Sequence, residues 1–188
     1  MKTTSLKFIN DDLHKVLLPL LEDTIFHMST QEAYRQIIED GKIKNNRDGQ
    51  YQLNAMSDNS FGRKRGYICL FNFKDHDRAI VKETLVDYYY FLDPDWFRRY
   101  YEDRVESKLA YFILHSKCYH LIIGNEVAKE SGDQYVPKTE CWMENEISLD
   151  HIDNVLLATV INSIPTDPFL HAHHMLSLER QNEENNSG

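Results

Sequence analysis

Leu13, Val16, Leu17, Leu20 and Leu21 recur at three- and four-residue intervals behind Asn10, Asp11 and Asp12, whose side chains can accept from the free amides of a first turn. The spacing predicts an amphipathic helix with its apolar stripe on the core. It should kink or stop near Leu18, because the ring of Pro19 clashes with the carbonyl four residues back. Thr24-Ile25-Phe26-His27-Met28 is an apolar run of strand length, and Ser29-Thr30-Gln31-Glu32 behind it has the spacing of a capping box. A helix over 32–40 should follow at once, with Ala33, Tyr34, Ile37 and Ile38 buried and Gly41 as the left-handed stop.

From 45 to 60 the chain turns polar, and a loop of this length in a small domain reads as ligand-facing. Residues 66–73 read as a buried strand, while 80–91 fits neither period. Asp93-Pro94 reads as an N-cap with proline in the first turn, so Trp96, Phe97, Tyr100 and Tyr101 should anchor a helix towards 106. Residues 109–114, 119–123, 140–143 and 155–161 are strand-length runs, with a helical turn over 148–152. The class is α+β with a second half that is mostly sheet. Without an internal repeat or a dividing linker, we expect one domain over 1–178, comprising an N-terminal helix in 1–23 and a core in 24–162. Residues 179–188 form a polar tail expected to be disordered.

Composition narrows the functional classes. With 188 residues, 41% hydrophobic and 12% aromatic, the chain has material for a packed core. Twenty-one basic against 30 acidic residues give a net charge of −9, a field that repels a phosphate backbone and disfavours generic nucleic-acid coating. Cys69, Cys118 and Cys141 are odd in number and lie far apart without a C-x-x-C pair, the usage of a reduced, cytoplasmic setting rather than of a disulfide framework or a zinc site. The apolar run at 155–161 is far shorter than a membrane helix, and residues 1–12 contain no apolar signal core, so no membrane association is expected. His171, His173 and His174 sit near the polar tail without a paired cysteine or carboxylate motif, and no metal is expected. The aromatic clusters at 88–91 and 96–101 read as core.

Ile25-Phe26-His27-Met28-Ser29, a helix ending at Gly41, a loop, and then Gly66-Tyr67-Ile68-Cys69-Leu70-Phe71-Asn72-Phe73 together resemble the N-terminal half of the ADP-ribosyltransferase fold, most closely the DarT-type toxins. Thr139-Glu140-Cys141-Trp142-Met143 followed by Ile147-Ser148-Leu149-Asp150-His151-Ile152 resembles the family segment in which the catalytic glutamate opens a strand that runs into a short turn. The resemblance spans about 24–160 in chain order. It implies a split, mostly antiparallel sheet, NAD as substrate, His27 on the NAD ribose, and Glu140 as the catalytic carboxylate. An arginine before the second strand is also implied, for which Arg63 and Arg65 are both candidates and Arg47 a third. The resemblance further implies a protein or nucleic-acid acceptor, a toxin-like or defence-related role, and an antitoxin or other protein as partner. The acidic charge and the stretch 74–109 depart from the toxins and leave the acceptor open.

The residue types suit this chemistry. Breaking the nicotinamide–ribose bond passes through an oxocarbenium-like state, which calls for a carboxylate beside the ribose. Glu140 could serve, with Glu144 and Glu146 as nearby alternatives. His27 could donate to ribose hydroxyls, Ser29 could bond nicotinamide or adenosine, and an arginine could hold the pyrophosphate. Phe61 or Tyr67 could stack on the cationic nicotinamide ring. These elements should place His27 and Glu140 on one concavity. Each also has a structural reading: His27 as a satisfied core residue, Ser29 as an N-cap, Arg63-Lys64-Arg65 as a solvated basic turn. The competing functional reading is a non-catalytic transferase-like module, an immunity or anti-defence factor, whose acidic surface and abundant Tyr and Trp suit a basic protein partner.

Overall fold

A computed structural model describes residues 1–9, 12–46, 48, 59–81 and 106–161. In chain order the elements are β1 (Lys2–Ile9), α1 (Leu13–Val16), α2 (Leu18–Leu21), β2 (Ile25–Thr30), α3 (Gln31–Asp40), β3 (Lys42–Ile43), α4 (Phe61–Arg65), β4 (Ile68–Asn72), β5 (Glu106–Leu114), β6 (Glu140–Met143), β7 (Ile147–Ser148) and β8 (Ile152–Ile161). Six strands form one sheet in the order β1-β8-β5-β2-β4-β6, and β3 pairs with β7 in a second. The central sheet is antiparallel throughout except for the parallel pair β1–β8. A mostly antiparallel sheet with, among the described residues, few and short helices is consistent with the α+β class.

Each face of the sheet carries its own core. On one, Leu13, Leu17, Leu18 and Leu21 of the short N-terminal helices pack with Phe26, Phe71, Phe73, Tyr111 and Leu156. Tyr34 and Ile37 of α3 cover the other, against Ile25, Leu70, Phe112 and Val155, joined by Ile43 and Ile147. The N-terminal helix breaks at Leu17, between α1 and α2, and Pro19 lies in the first turn of α2, where its missing N–H costs nothing. Strand β2 runs two residues past Met28, because Ser29 and Thr30 pair with Ala110 and Leu109 of β5. Thr30, not Ser29, therefore caps α3: its Oγ1 accepts from the Ala33 N–H at 3.1 Å. Gly41 closes α3 at φ 70°, as its position in the sequence predicts.

Three elements differ from the reading of the sequence. Residues 2–9 form a strand rather than leading into a helix; only Phe8 among them is buried, so the segment is held mainly by its ladder to β8. The run over 119–123, expected as a strand, falls largely in a 3₁₀-helix, Ser116–Leu121. The basic stretch before β4 is helical, with Phe61 and Gly62 buried. The loop at 49–58, the helix expected after Pro94, the aromatic clusters and the C-terminal tail lie outside the described residues.

Candidate functional site

The three strands that carry the motif residues are neighbours: β2 with His27 and Ser29, β4 behind α4, and β6 opening on Glu140. The β2–β4 ladder has only two pairs, Ile25–Asn72 and Phe26–Phe71, whereas β2 follows β5 over five pairs to Thr30. Past Phe26 the two strands part. The His27 ring bridges the parting, its Nδ1 donating to the Cys69 carbonyl of β4 at 2.8 Å. Burial lowers the His27 pKa, which keeps the ring neutral, and with the proton on Nδ1 its Nε2 is an acceptor. With Nδ1–H committed to Cys69, the neutral ring has no N–H left for the donation to a ribose hydroxyl expected from the sequence.

Glu140 stands opposite Phe71, which stands opposite Phe26, so these three side chains share one face of the sheet. His27, one residue on, is opposite Phe112 and points to the other face, with the two rings 6.1 Å apart. The expectation that His27 and Glu140 line one concavity is therefore not met, because a single step of side-chain alternation separates them. Glu140 is only 5% exposed. Its Oε2 accepts from the Val136 N–H at 2.6 Å, and its Oε1 accepts from Trp142 Nε1 at 3.0 Å and from the Cys69 thiol at 3.3 Å. Burial raises its pKa despite these donors. Desolvation and the adjacent Glu140 push the Cys69 thiol well above its usual range, so it stays a protonated donor. Among the described residues His27 and Glu140 thus meet through Cys69, one on its carbonyl and the other on its sulfur. Nothing in the spacing of the sequence singles out Cys69, since this role depends on pairing across β4 and β6.

The remaining candidates are distributed as follows. Arg65 is ion-paired to Asp133 at 2.8 Å, and its guanidinium lies 3.8 Å from the centroid of the Phe61 ring. Lys64 reaches the same Asp133 at 2.7 Å, so the basic stretch is exposed at Lys64 and Arg65, as expected, and is also clamped to the loop after β5. Phe61 is 2% exposed and lies 4.5 Å from the Trp142 ring, which corrects the expectation that it stacks on a ligand. Tyr67 is half-buried beside it. Arg63 donates to the Asn46 carbonyl at 3.1 Å. Arg47 lies outside the described residues, as do His171, His173 and His174.

The registers also show which groups share an end of the sheet. Continuing the β2–β4 alignment brings Ser29 level with Ile68, and Ile68 pairs with Met143, so Ser29, α4 with Arg63, and the exposed Glu144 all belong to one end. Glu140 belongs to the other. Glu146 is ion-paired to Lys42 at 2.5 Å. Among the described residues no group of three His, Cys, Asp or Glu side chains could hold a metal ion, and no helix is long and apolar enough to cross a membrane. No family model, curated protein or solved structure matches the chain.

Proposed function

We propose that this chain is an ADP-ribosyltransferase-like enzyme that takes NAD as substrate and transfers ADP-ribose to a macromolecular acceptor, protein or nucleic acid, in a toxin-like or defence-related role. The observation that supports this reading is the parting of β2 from β4 with a neutral His27 in the opening, and Ser29, Arg63 and Glu144 at the end towards which it opens. In this reading Glu144 supplies the carboxylate that meets the oxocarbenium-like ribose, because it is exposed, whereas Glu140 is consumed by three donors. Arg63 serves the pyrophosphate and Tyr67 the nicotinamide. Arg65 and Phe61 brace α4. The same saturation of Glu140 favours a second reading, a non-catalytic module of this type that binds a protein partner as an immunity or anti-defence factor.

One set of assays separates the readings. Millimolar NAD should raise the melting temperature, as a ligand that binds only the folded state must. The wild type should release nicotinamide and label a protein or nucleic-acid fraction from labelled NAD. Glu144→Gln should lower turnover by about 10²–10³-fold with little change in NAD affinity. Equal loss in Glu140→Gln at an unchanged melting temperature would return the catalytic role to Glu140. NAD binding without nicotinamide release would support the non-catalytic module, and absence of both would overturn NAD as the substrate.

A further inference from the structure

At the opposite end of the strands from Ser29 lies a cavity of about 370 Å³, within the range of roughly 300–1,000 Å³ typical of small-molecule sites. Its apolar wall is Ile25, Ile122 and Cys141, with the Tyr119 ring beside them under the Lys74 ammonium at 5.9 Å. Asn125 also lines it. This side chain is 8% exposed, and its Nδ2 has no hydrogen-bond partner. A buried amide donor left unpaired is a cost that the fold has no need to carry unless something else supplies the acceptor.

A second, independent sign lies on the same wall. Lys138 has φ 66°, in the left-handed region, and the Thr139 N–H bonds back to the Pro137 carbonyl at 2.7 Å, which closes a tight three-residue turn of the rarer hand around it. His76 holds that turn through the Lys138 carbonyl at 2.7 Å. The Thr139 hydroxyl that follows is fully buried and also unpartnered. An orphaned amide and a strained turn therefore lie on the wall of one cavity, with the orphaned Thr139 hydroxyl one residue beyond it, the pattern of a site kept for binding rather than for stability.

We infer that this cavity binds a small uncharged molecule of the ribonucleoside class. Lys74 and Lys138 stand on its wall with Asp75 and Glu126, and Glu140, which also lines it, has both carboxylate oxygens engaged by Val136, Trp142 and Cys69. Neither a strong anion nor a strong cation is called for. Asn125 requires an acceptor, which a base carbonyl or ring nitrogen provides. The carboxylates of Asp75 and Glu126 can accept from sugar hydroxyls, and the apolar strip with Tyr119 takes a flat body. The site is separate from the opening at His27 and does not rest on NAD as a substrate.

The test is thermal melting of the full chain with adenosine, guanosine, cytidine or uridine at millimolar concentration, with glucose as a probe that offers hydroxyls alone and no NAD present. At least one nucleoside should raise the melting temperature where glucose does not. Asn125→Leu should weaken that binding about tenfold or more, while melting at or above the wild type on its own, since it deletes an unpaired donor. Should that variant fail to fold, Asn125→Asp, which turns the donor into an acceptor at constant size, carries the same test. No shift with any nucleoside would overturn the inference. So would an equal shift with glucose, or unchanged affinity in the Asn125 variant.

Discussion

Replacing Glu140 by alanine removes one acceptor group from three donors at once, and the structure fixes what is left behind. The Val136 N–H at 2.6 Å and Trp142 Nε1 at 3.0 Å lose their acceptor in a site where Glu140 is 5% and Trp142 0% exposed. At about 1–3 kcal/mol for each buried donor left unpaired, the two together cost about 4 kcal/mol. In a chain of this size that corresponds to a fall of roughly 8–16 °C in melting temperature, readable by calorimetry or circular dichroism. Glutamine at the same position keeps one oxygen and sets an NH₂ against one of the two donors, so it should lose about half as much at low pH. The pH dependence has a definite sign. Burial raises the folded pKa of Glu140 above its usual 4.5, so its contribution is complete below that value and is lost as pH rises through the folded pKa. The Glu140→Gln variant lacks that slope, and its deficit relative to the wild type should shrink as pH rises. A Glu140→Ala protein melting within about 2 °C of the wild type would refute the anchor role.

Two further outcomes follow from neighbouring positions. A Cβ at Gly62 would sit 2.6 Å from Cδ1 and Nε1 of the buried Trp142 ring, so Gly62→Ala should cost about 1–3 kcal/mol, seen as a lower denaturant midpoint at unchanged slope. His27 has a pKa lowered by burial, so the stability that its neutral form contributes is present above the usual 6.5 and is lost as pH falls through the folded value. His27→Gln should flatten that acid-side loss in a melting-temperature profile, and an unchanged slope would remove His27 as its source.

The sequence was most legible where local signals agree. From Ile25 to Gly41, a strand, a cap, an amphipathic stripe and a glycine stop all fall within one or two residues of their expected places. Residues 2–9 were opaque because an exposed edge strand needs no buried alternation; what fixes it is a partner some 150 residues away. The site divides along the same line. That His27 and Glu140 sit on adjoining parts of one sheet follows from the order of the motifs, but the face each side chain takes depends on pairing parity through Phe71. A shift of one residue in that register would have reversed the answer, and no single-strand pattern reports it. The clamp of Asp133 on Lys64 and Arg65 was hidden for a related reason: it joins segments almost 70 residues apart.

The parallel pairing of Lys2–Ile9 with Ile152–Ile161 also sets a timetable. During synthesis at roughly 5–20 residues per second, β1 emerges on the order of ten seconds before β8, its one ladder partner among the described residues. Throughout that interval the described sheet offers it no neighbour, and β8 arrives to find β5 already made and β1 waiting some 150 residues back along the chain. Closure of the sheet is therefore a late, long-range event, and the β8 edge stays open to any other extended segment until β1 covers it.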